Sequence, residues 1–526
     1  MSESLSNKQL IKYSLLILLL GITIGSVSLT YPFGRDQGIY AYAGKLLLEG
    51  KIQYRYVFDL KPPGVHYTFA LAEMIFGDSM FSVRIFDIFW QSLTALVIFL
   101  ITFHFSKSKS AGIFSSFLYI FLYYRLDYWH TLQADGFLNL PFAYCVLLLI
   151  TSSADETEPK MIIAGIFFAL TVLFKYTVLV FLGFLLLWLF IGINRNLKVR
   201  FKNYMFFLIG FVFSLMLIMG IYYLTDSLHQ FIDVQFVQIP LYAGIGFDTE
   251  SFSFIVRNII HMLFSSVYSP LILSCFILFF IFIRGKKFTA DRVLLFIWII
   301  SAIINLVVQW KFFHYHFLVI IPPIVVGTSI TCSYLFELYH EKYPKILNIS
   351  FITILIFYLI FASKPYISNY QKLFEYAGGR KSLKQLYIET GVTSDSAFMI
   401  SNTFKAVDYV TQNTKNSDKI FIWGFDPVVY YLSGRECASK FIYNFPLYWK
   451  GNNNTFRKEF LEELNSNNPE LILVSQKDPL FYISGYNEDS KQMLLRFPEF
   501  KKFMDEKYNL KTQIDNFFYY ELKRDL

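Results

Sequence analysis

Long apolar blocks separated by short polar gaps fill residues 1–363, and at Lys364 the pattern stops. A helix that crosses a bilayer needs about 20 apolar residues. About eleven stretches answer that description, near 11–30, 81–104, 109–124, 136–153, 160–174, 176–193, 203–225, 263–283, 291–309, 314–336 and 346–363. The first apolar run extends to Leu29, longer than the core of a signal peptide, so it is read as a spanning helix with its N-terminus cytoplasmic. Past 363, Asp, Glu, Lys, Asn and Gln return at ordinary density. The expected organisation is a membrane domain over 1–363 and a soluble domain over 364–526.

The stretch 31–80 is polar and lies between two spans. Asp36 to Gly50 reads as a short helix with an apolar stripe of Ile39, Ala43, Leu46 and Leu47. A second short helix starts at Pro62-Pro63, where Pro suits a first turn, and ends at Gly77. Val65, Phe69, Ala72 and Phe76 form its stripe. Both are expected along the membrane interface, as is the 226–262 loop. The tail alternates strand and helix patterns. Lys419–Gly424, Leu471–Val474 and Asn516–Lys523 read as strands, with helices near 403–414 and 456–466.

Composition agrees with the pattern. The 526 residues are 55% hydrophobic and 16% charged, against roughly 25% charged in soluble domains. The net charge of +8 does not point to nucleic acid, because much of the Lys and Arg sits in short gaps: Lys107 and Lys109; Lys160; Arg195, Lys198, Arg200 and Lys202; Arg284, Lys286 and Lys287; Lys342 and Lys345. Placing these gaps inside satisfies the positive-inside bias. The remaining loops and the tail then fall on the extracytoplasmic face of the cell membrane. Four scattered cysteines make neither a disulfide framework nor a CxxC site, and no glycine-rich nucleotide motif is present.

The candidate chemistry is on the outer side. On spacing alone Asp36 reads first as an N-cap; its place at the membrane face also suits a general base. Lys61, before Pro62-Pro63, is either a snorkelling lysine or the cation of a phosphate site at a helix N-terminus. Asp59 can orient Lys61 or bind a metal. Arg84 with Asp87, and Asp127 with Asp135, place further ionisable groups at span ends, where such groups are costly and often functional. Lys175 marks a tight turn or a second phosphate cation. His314 and His316, with Asp36 or Asp135, offer a weak divalent-cation pattern beside the plainer reading of interface histidines.

Arg35-Asp36-Gln37, Tyr40-Ala41, Asp59-Leu60-Lys61-Pro62-Pro63-Gly64, Phe76-Gly77 and Arg84 together resemble the first outer loop of bacterial membrane glycosyltransferases of the GT-C class. These are relatives of the protein O-mannosyltransferases and of the lipid A aminoarabinose transferase. Gln133-Ala134-Asp135 resembles the second acidic loop of that class, and Phe312–Pro323 a late span. Ile422-Trp423-Gly424 and Tyr431–Arg435 are similar to the outer domain of many members. The resemblance implies a polytopic α-helical GT-C fold with an extracytoplasmic α/β domain. It also implies inverting transfer of a sugar from a polyprenyl-phosphate carrier to a glycan, lipid or protein hydroxyl. Asp36 and Asp135 would be the catalytic acids, and Lys61, Arg84 and Lys175 the donor-phosphate cations. Protein mannosyltransferases carry Asp-Glu where this chain has Asp36-Gln37, which argues against that branch. Transfer of a preassembled oligosaccharide is the alternative within the class. A lipid or glycan transporter is the alternative outside it; transporters more often carry an internal repeat and charges near mid-bilayer, whereas this sequence shows no convincing repeat and its notable charges sit at outer span ends. A ligand sensor leaves the first loop unexplained.

Overall fold

The computed structural model describes residues 5–152, 158–191, 197–249, 251–285, 289–339, 344–392, 398–448 and 454–524. Arg195, Lys286, Lys287 and Lys342, expected in basic gaps, lie outside them. Among the described residues, seven helices are long and apolar enough to cross a membrane: Asn7–Thr30, Met80–Ser106, Ala134–Thr151, Phe201–Leu224, Ala290–Val308, His314–Tyr339 and Asn348–Ala377. An eighth span results if Phe252–Phe264 and Ser269–Arg284, bent by 76°, are counted as one.

The other stretches expected to span are helical but short. Lys109–Tyr124 has 16 residues, Glu158–Val172 has 15 and Val180–Ile191 has 12. Hydropathy found these helices, and their length falls below what an untilted crossing needs. The compositional break at 363 falls inside one helix, Pro344–Ala377.

The chain divides into two compact units. The first comprises Met1–Leu29, Arg84–Met219 and Phe252–Gly378. Its helices pack through small residues, the usual device where hydrophobic exclusion between helices is absent. A Cβ on Gly165 would lie 2.0 Å from the Phe207 carbonyl oxygen, and one on Gly210 would lie 2.0 Å from that of Ile162. The Glu158–Val172 and Leu197–Leu224 helices thus meet backbone to backbone. Large apolar side chains such as Phe213, Met216, Phe357 and Phe361 are exposed, as expected of surfaces that a bilayer covers.

The second unit comprises Thr30–Val83, Gly220–Ser251 and Gly379–Leu526. Its centre is a five-stranded sheet of β1 (Lys419–Trp423), β2 (Glu436–Cys437), β3 (Leu471–Ser475), β4 (Tyr508–Ile514) and β5 (Phe517–Leu522), in the order β2-β1-β3-β5-β4. β1 pairs in parallel with β2 and β3; β5 runs antiparallel to β3 and β4. The apolar runs of β1 and β3 are covered on both faces, as central parallel strands are. The same unit contains the two helices of the first loop, Arg35–Leu48 and Gly64–Phe76. The first is buried on nearly every side rather than along one stripe: Gln37 through Gly44 are all covered. The second has two faces. Val65, Phe69 and Ala72 are in the core, while Leu71, Met74 and Ile75 are exposed, the arrangement of an interfacial helix.

Candidate active site

In the second unit, the Arg35–Leu48 helix starts at Gly34, whose N–H is accepted by the Gln37 side chain at 3.0 Å. The cap therefore lies two residues before Asp36, and the Gln37 side chain satisfies its N–H. Asp36 sits half-buried in the first turn, near the positive end of the helix dipole.

The turn from Asp59 to Gly64 is held from several directions. One Asp59 oxygen accepts the Leu60 N–H at 2.8 Å. The other is 2.8 Å from Nε2 of His66, which is fully buried and meets the rings of Tyr40 and Tyr54 edge-on. The Tyr54 hydroxyl donates to the Lys61 carbonyl at 2.7 Å. Lys61 thus sits half-buried just before the Gly64–Phe76 helix, on a turn that Asp59 and His66 fasten. Asp59 pairs with His66 on that turn. Tyr443 shares this neighbourhood: burial first, then the Asp59 carboxylate, Tyr242 and the Asp36 carboxylate hold its hydroxyl well above the usual range.

In the first unit, Asp135 lies in the short helix Ala134–Phe137 and is fully buried. Both its oxygens accept from Lys175 Nζ at 2.7 Å. Lys175 also donates to Gln309 Oε1, whose amide donates in turn to Asn305. The two residues, 40 apart in sequence, form one ion pair in which the carboxylate is buried and the Lys175 side chain keeps 15% exposure. Arg84, fully buried, donates to the Thr131 hydroxyl at 2.7 Å and to the Tyr128 carbonyl, so it clasps the loop that leads to Asp135. Asp87 accepts from Gln91, Tyr123 and Tyr124. Asp127 is largely exposed and accepts the Trp129 N–H.

His314 stacks edge-on with His130 at 5.0 Å. Burial pushes His130 down to about 4; Asp127 opposes this and His314 adds to it. His316 is buried against Tyr315 and Phe313. Among the described residues no three His, Cys, Asp or Glu side chains are grouped to hold a metal ion, so the cation site sketched from His314, His316 and an acid is not assembled by these side chains. His66, Gln309 and Tyr443 went unnoticed in the sequence. The only signal for His66 was its place seven residues after Asp59.

Residues 60–223 match the model of the dolichyl-phosphate-mannose-protein mannosyltransferase family. A search of curated proteins returns no match. Two solved structures of ArnT from Cupriavidus metallidurans resemble the whole chain. The one bound to undecaprenyl phosphate is 10% identical, covers 98% of both chains and has a TM-score of 0.61. The apo form is 11% identical, covers 97% of this chain and 98% of its own, and has a TM-score of 0.56. The chain has the GT-C fold. An oligosaccharyltransferase from Archaeoglobus fulgidus, tethered to an acceptor peptide, is a more distant likeness at 12% identity, with 97% of this chain and 74% of that chain covered and a TM-score of 0.48. The family match begins at Leu60 and so takes in Lys61, Arg84, Asp135 and Lys175 of the GT-C chain, while Asp36 and Asp59 precede it.

Proposed function

We propose that this protein is an inverting glycosyltransferase of the cell membrane, which passes a sugar from a polyprenyl-phosphate carrier to a hydroxyl on the extracytoplasmic side. The acceptor is a glycan, lipid or protein of the cell envelope. The observation that carries the reading is the first loop. It fixes an acid in a helical first turn and a lysine at the start of the next helix, within one compact unit, in a chain whose fold matches an enzyme bound to undecaprenyl phosphate.

In this reaction the acceptor oxygen bonds to the anomeric carbon while the bond from that carbon to the phosphate oxygen breaks. Asp36 takes the acceptor's proton, which requires a carboxylate held beside the hydroxyl. The electron pair of the broken bond leaves on the lipid phosphate. Lys61, with backbone N–H groups of the following helix, stabilises that anion, and fixed charges do so with little reorganisation. Asp135 and Lys175 are the second acid and cation of the scheme, and Arg84 acts on the phosphate side by fixing the Tyr128–Thr131 loop. Holding donor and acceptor in register supplies several kcal/mol more.

The test is transfer by purified protein supplied with polyprenyl-phosphate sugars. Asp36→Asn is expected to lower kcat by about 10²–10⁴, the usual range for loss of a positioned base; transfer at the wild-type rate removes Asp36 from that role. Movement of lipid between leaflets without consumption of any polyprenyl donor would establish a transporter instead.

A further inference from the structure

In open α/β sheets, ligands bind past the carboxyl ends of the strands, where the strand order reverses. In the second unit that place lies beyond β1 and β3, because the chain leaves β1 towards β2 on one side and then crosses to β3 on the other. The residues there are Gly424-Phe425-Asp426-Pro427-Val428 after β1 and Gln476–Asp478 after β3. The crevice is filled by this chain's own first loop. The Arg35 guanidinium lies 5.2 Å from the Phe398 ring and 5.3 Å from the Phe425 ring. Gly38 meets the backbone of the turn: a Cβ there would be 2.8 Å from Val428 N and 2.6 Å from its Cγ2. The Tyr42 hydroxyl accepts the Cys437 N–H at 2.8 Å, and its ring packs on Tyr430.

Residues 35, 38 and 42 recur at helical spacing, so one face of the helix makes all three contacts. Outside the helix, Phe33 packs on Tyr431, Lys51 pairs with Glu436 at 2.8 Å, and Phe58 N–H donates to the Lys440 carbonyl at 2.8 Å. Asp426 is buried, with one oxygen taken by Thr403 at 2.7 Å. Burial pushes its carboxyl up to about 7, against Thr403 and the charge of Arg35, with Asp478 adding to the rise. The positive charge that faces Asp426 is Arg35, while Asp478 accepts from the Ser490 N–H and hydroxyl.

We infer that the C-terminal domain is a positioning element of the catalytic loop: its sheet-end crevice takes Arg35 and Gly38 where a free ligand would otherwise sit, and so fixes Asp36, the residue between them. The inference rests on the base role proposed for Asp36, while the docking itself does not depend on it.

The experiment uses full-length protein in lipid nanodiscs, with amide hydrogen exchange and transfer kinetics read on the same samples. Gly38→Ala is expected to speed exchange of amides 35–48 by about tenfold or more, with the amides of β1 and β3 unchanged. Its kcat should fall at least tenfold with the donor KM within about threefold, because geometry rather than donor binding is lost. Tyr42→Phe, which removes only an acceptor, should show the same pattern more weakly and covers the case in which Gly38→Ala does not fold. Exchange of 35–48 at the wild-type rate in Tyr42→Phe, or equal changes in kcat and donor KM, overturns the inference. Asp36→Asn should leave exchange over 35–48 unaltered. Full activity in that variant would overturn the base role and not the docking.

Discussion

Glu73→Gln should remove a loss of stability that the protein suffers as the pH rises. Glu73 is in the Gly64–Phe76 helix and only 4% exposed. Burial pushes its carboxyl up to about 8; the Tyr431 hydroxyl opposes this, Asp78 adds to it and Lys45 opposes it. Neither Glu73 oxygen makes a hydrogen bond of ordinary geometry among the described residues, so Tyr431 acts through proximity rather than a well-formed bond. The folded state therefore keeps a proton that the unfolded chain releases near 4.5. Stability is fully present below that pH and is lost as the pH rises through about 8. The whole shift corresponds to about 5 kcal/mol at 1.36 kcal/mol per unit. Water entry and side-chain relaxation lower that, and about 1–3 kcal/mol between pH 5 and 8.5 is the expectation. Because such proteins often unfold irreversibly, the observable is the unfolding rate at fixed temperature. Wild type should unfold faster at pH 8.5 than at pH 5, and Glu73→Gln should flatten much of that slope. A wild-type-to-variant ratio that stays constant across the range would refute the idea of a buried, protonated Glu73.

Two further variants probe the first unit. Asp135→Ala leaves the ammonium of Lys175 without its carboxylate and should cost about 3–5 kcal/mol; thermal inactivation should show the double variant Asp135→Leu/Lys175→Met to be far less damaged than Asp135→Ala alone. Gly165→Ala drives a methyl into the Phe207 carbonyl and should separate two helices at a cost of several kcal/mol, whereas Gly183→Ala, with open space around it, should be close to neutral in the same measurement.

Much of the fold was legible because hydropathy and strand runs are local signals. The apolar stretches became helices, and the strands at 419–424, 471–474 and 516–523 fell where the runs lie. β4 was not legible: Tyr508–Ile514 is an edge strand in which Asn509, Leu510 and Lys511 are exposed in succession, so it carries no period-two signal, and only its pairing with β5 defines it. The same limit applied to the site. The side chains of Asp36 and Asp59 could be noticed from spacing, but their partners could not. Gln37 caps the helix locally, yet what fixes it in place is Val428 and Cys437, some 390 residues away, and no periodicity carries that information.

Asp36 and Asp135 were singled out by the same signal, an acid where a polar loop meets a helix, and their surroundings give them different work in the proposed reaction. Both oxygens of Asp135 are held by one ammonium, so accepting a hydroxyl proton there would mean breaking an ion pair whose carboxylate is buried and whose separation is costly. Its fitting task is to hold Lys175. Asp36 stands in a helical first turn, on a helix clamped at Gly38 against Val428 and at Gly44 against the backbone of Ala70, where a Cβ would come within 2.8 Å of that residue's nitrogen. A carboxylate on so firmly docked a turn varies little in position, which is what proton transfer at hydrogen-bond distance demands. For the proposed reaction the first-loop acid is therefore the better candidate for the base, and the two clamps on its helix come from different elements: one from the turn after β1, one from the second helix of the loop.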